Sequence, residues 1–124
     1  MAKFWTIFGA LSGFVSVAMG AFGAHALAEK LDEKMLAAFK TGAQYQMYHS
    51  LALIAVGLWA RSHPGNSTSI VGWSFVFGTI LFSGSLYAMA LTDIKVLGAI
   101  TPLGGLSFMV GWIAFAVAVW RASY

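Results

Sequence analysis

Cysteine is absent from all 124 residues. Disulfides, thiolate metal sites and cysteine nucleophiles are therefore excluded, while the redox compartment stays open. Charge is scarce as well: seven basic and four acidic side chains make up 9% of the chain, against about 25% in soluble proteins. Eleven charges are too few to solvate the surface of a 13.2 kDa globule in water. The net charge of +3 forms no basic stripe, so nucleic acid is not an expected partner. No phosphate-binding loop, dinucleotide fingerprint, metalloprotease pair or paired carboxylates occurs, which leaves no catalytic residue to nominate. What is present is apolar: 60% of the residues are hydrophobic. Such a chain needs membrane lipid as its solvent.

The charges divide the chain into four uncharged runs, residues 4–28, 41–60, 62–92 and 96–120. A hydrocarbon core of about 30 Å takes roughly 20 helical residues, so each run can hold one crossing. The third has surplus, and His63-Pro64-Gly65-Asn66-Ser67 within it reads as a surface loop. These constraints predict a single transmembrane domain, an all-α integral membrane four-helix bundle with spans near 4–27, 42–60, 70–91 and 96–120. The first run imitates a secretory signal ending in Ala24-His25-Ala26, but its apolar core exceeds the usual length of about 7–15 residues, and it is expected to be retained as a helix.

Four crossings put both termini and the loop around Arg61 at one end, the terminal end. Residues 29–40 and 92–95 lie at the other, the loop end. Trp5, Trp59, Trp73 and Trp120 fall at the terminal end, where indole rings favour the headgroup level, and only Trp112 lies inside. Lys3, Arg61 and Arg121 give three cations there against Lys30, Lys34, Lys40 and Lys95 opposite, nearly a tie; because all four acids sit at the loop end and leave it neutral against +3, cytoplasmic termini are expected. Asp32 is a predicted N-cap, with Leu31 and Leu36 as a hydrophobic staple. From this a short interfacial helix over residues 33–41 is expected, bending near Gly42 into the second span; a plain extension of that span is the alternative.

Gly9 and Gly13, together with the ladder Ser12, Ser16, Gly20 and Ala24, put small residues on one stripe of the first span. Small residues let a neighbouring backbone approach closely, and packing within the chain is favoured over a second copy as the partner. Pro102, followed by Gly104 and Gly105, predicts a kink in the fourth span.

The polar residues within the apolar runs gather toward the loop end: His25, Gln46, His49, Ser83, Ser85, Tyr87 and Thr101. If their faces converge, they form a polar cluster roughly 5–12 Å beneath one surface, a candidate ligand or partner site. Each also has a plainer role. His25 fits headgroup solvation, His49 fits a structural bond to Gln46, Tyr87 or a backbone carbonyl, and Ser83-Gly84-Ser85 fits helix packing. Haem or metal ligation by His25 and His49 is weaker, since no His-x-x-x-His or carboxylate accompanies them, and no cofactor is expected.

The strings Gly20-Ala21-Phe22-Gly23-Ala24-His25, Tyr45-Gln46 with His49, Phe82-Ser83-Gly84-Ser85-Leu86-Tyr87 and Thr101-Pro102-Leu103-Gly104-Gly105 resemble the YgdD/YwdK-like family of small membrane proteins. That family has a eukaryotic transmembrane branch and is a domain of unknown function. The resemblance covers essentially the whole chain and implies a four-span, multi-pass protein of the cell inner membrane. It brings no substrate, cofactor or catalytic residue. The expectation is thus a non-enzymatic membrane protein with a structural, accessory or small-ligand role, acting with lipid and with a second copy or another membrane protein. A small oligomeric transporter or channel is the alternative; the absence of an acid within the spans argues against an ordinary proton-coupled pump.

Overall fold

The computed structural model describes residues 1–124, folded as an integral membrane four-helix bundle without strands. Helix α1 spans Ala2–His25, α2 Glu33–Ser62, α3 Ser69–Thr92 and α4 Thr101–Arg121. Three segments are long and apolar enough to cross a membrane: α1, α3 and Lys95–Arg121. Helix α2, with 30 residues the longest, falls outside that group. It carries Glu33, Lys34 and Lys40 near its start and several polar side chains along its length.

The separate interfacial helix expected over 33–41 is absent. Asp32 does cap the helix, its Oδ1 accepting from the Met35 N–H at 2.8 Å, but α2 then runs unbroken through Gly42. Gly42 is buried, and a Cβ there would come 2.9 Å from the Tyr87 ring. It therefore acts as a packing residue instead of a hinge. Met35 and Phe39 are buried with Leu27, Ala43, Tyr87 and Ala90, which holds the first turns of α2 inside the bundle.

The kink assigned to Pro102 is also absent. Pro102 is the second residue of α4, where its missing N–H leaves no intrahelical bond unmade, and the 3₁₀ turn Lys95–Ala99 precedes it. Gly104 serves close approach: a Cβ there would overlap the Phe82 backbone, whereas one at Gly105 would meet only ordinary contacts. The irregularity sits in α3 instead, as a π-helical turn over Thr79–Ser83. Phe82 meets Gly104 at this turn.

The small-residue stripe of α1 packs within the chain, against α2. A Cβ on Gly9 would lie 2.7 Å from the Ser50 carbonyl oxygen, and one on Gly57 would lie 2.8 Å from that of Ala2. Gly13 is in looser contact, and Gly20 faces open space, so the close approach is confined to part of the stripe. Trp5, in the first turn of α1 and so at the terminal end, is fully buried among the helices there, its ring covering Gly72 and its Nε1–H donating to Thr68 Oγ1 at 3.1 Å.

Two apolar clusters divide the core. Trp5, Leu53, Val56, Val71, Phe75 and Phe108 belong to one, and Leu27, Met35, Phe39, Ala43, Tyr87 and Ala90 to the other. Polar side chains of α1, α2 and α3 occupy the layer where the two meet.

Candidate functional site

Gln46 is the centre of that layer. Its Oε1 accepts from the Tyr87 hydroxyl at 2.6 Å, its Nε2 donates to Ser12 Oγ at 3.1 Å, and its own carbonyl accepts from Ser50 Oγ at 2.7 Å. One side chain thereby joins α1, α2 and α3. Ser16 Oγ donates to the Ala43 carbonyl at 2.6 Å, and Ser83 Oγ donates to that of Gly42 at 2.7 Å, adding one tie from each neighbouring helix to the backbone of α2. In lipid an unpaired polar group has no water to turn to, so such bonds fix which residues face each other.

His49 extends the layer toward α4. The Trp112 indole N–H donates to His49 Nε2 at 3.0 Å, and His49 Nδ1 lies 2.7 Å from the Tyr45 carbonyl. An indole nitrogen only donates and a carbonyl only accepts. The imidazole is thus neutral, with its proton on Nδ1. Phe108 stacks on the ring, centroids 3.5 Å apart and planes within 7°. Both ring nitrogens are engaged, which leaves no lone pair for a metal or haem iron.

The remaining expected members do not join. His25 is exposed at the last residue of α1. Ser85 pairs with Thr101 Oγ1 at 2.6 Å, a separate link between α3 and the start of α4. Depth differs as well. Ser12 is the eleventh of 24 residues in α1, and Trp112 the twelfth of 21 in α4. The layer therefore reaches the middle of the bundle instead of lying wholly beneath one surface.

Ser12, Ser16 and Trp112 escaped the sequence reading as hydrogen-bonding partners. Ser12 and Ser16 stood out only as small residues. Trp112 stood out as the one tryptophan far from a span end; its ring is exposed at the bundle surface, where an indole N–H facing hydrocarbon still needs an acceptor, and that donor was the available signal. Every buried side-chain nitrogen and oxygen has a hydrogen-bond partner within the protein. The interior layer is complete without a ligand.

A second polar pair lies on the outside of the same helix. Gln44 Nε2 donates to the Tyr48 hydroxyl, and both residues are exposed. They border a shallow groove of about 410 Å³ between α1 and α2, shared with Val17, Gly20 and Lys40. Because Ser16 bonds to Ala43, Gln44 stands level with the middle turns of α1, at the depth of the acyl chains.

A bundle with a self-satisfied polar layer inside an apolar exterior defines a multi-helix integral membrane protein. The family model described as "Protein of unknown function (DUF423)" matches residues 19–105. The UPF0382 membrane protein YwdK of Bacillus subtilis is 46% identical over 117 residues, 94% of this chain and 95% of the relative. The UPF0382 inner membrane protein YgdD of Escherichia coli is 40% identical over 123 residues, 97% and 92% of the two chains. A UPF0382 membrane protein of Haemophilus influenzae is 45% identical over 114 residues, 91% and 90%. The chain belongs to this DUF423 family of membrane proteins. No solved structure matches it.

Proposed function

We propose that this protein is a non-enzymatic accessory component of the cell inner membrane that works through its outer surface, by associating with a second copy of itself. The observation that carries the reading is the contrast in polar pairing. Inside, no buried polar atom is left over to hold a substrate, whereas outside Gln44 and Tyr48 present an amide and a phenol to lipid. An amide in hydrocarbon gains from a neighbouring helix that offers donors and acceptors, and two glutamine amides related by a two-fold axis offer both to each other. Gly20, open above its Cα, leaves room for that helix. The termini are assigned to the cytoplasm, which a C-terminal reporter active only outside the cytoplasm would reverse.

The absence of cysteine makes the test clean, because single-cysteine variants cross-link only where placed. In native membranes Gln44→Cys and Gly20→Cys should give a disulfide-linked dimer of the chain. Ile113→Cys, on the outer face of α4, should not. Monomer at all three positions, or a product containing a different protein, overturns the self-association.

Transport is the second reading, and the π-helical turn beside the polar layer is the feature that favours it, since such turns recur at functional sites. Solute flux into reconstituted vesicles decides it; no flux across a broad panel removes it.

A further inference from the structure

We infer that the groove between the start of α1 and the end of α2 is a binding site for an anionic phospholipid. The groove has a volume of about 500 Å³ and is lined by Ala2, Lys3, Thr6, Ile7, Gly57, Leu58 and Arg61. Its form follows from Gly57. With no side chain there, the first turn of α1 settles against α2, and any Cβ would run into Thr6 and the Ala2 carbonyl. Thr6 Oγ1 is turned back onto Ala2 O at 2.9 Å, which leaves the recess itself apolar below its rim.

The two ends of this groove differ in chemistry. At the rim stand Lys3, in the first turn of α1, and Arg61, in the last turn of α2, both exposed. Below them Ile7 and Leu58 are each at least half exposed and face the acyl region. No acidic side chain lies at this end to compete for the cations. Glu29, Asp32, Glu33 and Asp93 all lie at the opposite end of the bundle, after α1, at the start of α2 and after α3. The terminal end thus holds three basic side chains and no acidic one, with two of the three around one recess.

Charge selects an anion, and the apolar walls select one carrying a hydrocarbon tail. A guanidinium makes two parallel bonds to a phosphate, and a lysine ammonium reaches the same depth by extending its stem along apolar surface. Basic pockets between transmembrane helices bind lipid headgroups on this principle. A free phosphate would satisfy the rim but leave Ile7 and Leu58 uncovered. The site shares no residue with the Gln44 face, so it stands or falls separately from self-association.

The test is lipid retention. The intact protein is purified in detergent micelles doped equally with phosphatidylglycerol and phosphatidylcholine, and bound lipid is counted by native mass spectrometry. Phosphatidylglycerol should be retained roughly tenfold over phosphatidylcholine. The double variant Lys3→Gln/Arg61→Gln should lose that preference while keeping its melting temperature, since both side chains are exposed. Arg121→Gln, which removes a cation from a different recess, should retain it. Equal retention of the two lipids by the unaltered protein, an undiminished preference in the double variant, or displacement of the lipid by excess inorganic phosphate would each overturn the assignment.

Discussion

Gln44 and Gln46 stand two residues apart on α2 with identical side chains and opposite surroundings. Gln46 is buried, engaged at both ends of its amide and tied to two other helices. Gln44 is exposed and bonded only to Tyr48, one turn along its own helix. The difference follows from helical geometry, because a step of two residues turns a side chain by roughly 200°. The inner amide specifies how the chain folds; the outer one is available to something else. In a bilayer that division is sharper than in water, where solvent would satisfy the outer amide.

Substitutions that sharpen the contrast should differ in size. The largest effect is expected on the inner side from sterics, not polarity. Gly104→Val pushes a side chain into the Phe82 backbone, and should cost about 3 kcal/mol, seen as loss of a cooperative melt. Gln46→Leu removes the hub and strands the Tyr87 hydroxyl and Ser12. A loss of about 2 kcal/mol in unfolding from mixed micelles is expected. A double-mutant cycle with Tyr87→Phe should show coupling of about 1 kcal/mol, and additivity would remove the pair from the account. Trp112→Phe keeps an aromatic ring but removes the donor to His49. A loss of about 1 kcal/mol is expected, with little change if the indole bond is idle. Smallest in stability is Gln44→Leu, expected within about 0.5 kcal/mol of the unaltered protein. It should nevertheless weaken cross-linking from Gly20→Cys, the clearest separation of the two amides.

Much of the bundle was legible from charge alone. Four runs without a charged side chain became four helices, because a helix pairs its backbone N–H and C=O groups within one segment and hydrocarbon does not tolerate them unpaired. The Asp32 cap was legible for the same local reason, an oxygen three residues ahead of a free N–H. Gly42 misled. A lone glycine reads equally as a bend or a close contact, and only the position of Tyr87, 45 residues later in the chain, decides which. Pro102 misled because a helix start in the fourth run leaves no local mark when 3₁₀ and α turns join without a polar cap. The polar layer was half visible. Gln46, His49, Ser83 and Tyr87 declare themselves by being polar in apolar runs. Their partners depend on the register between helices, which packing sets, and so Ser12 and Trp112 emerged only in three dimensions. The π-helical turn had no sequence mark at all.

The composition of α2 bears on how the protein is made. It is the longest helix yet lies outside the group apolar enough to cross by that measure, and the Gln46 amide at its centre finds both of its side-chain partners on neighbouring helices. Emerging from the ribosome, α1 can partition into the bilayer by itself. For its successor, α1 supplies a hydroxyl at Ser12 for the Gln46 amide and a donor at Ser16 for the Ala43 carbonyl, a physical reason for the two to enter the bilayer together as a hairpin onto which the later helices close.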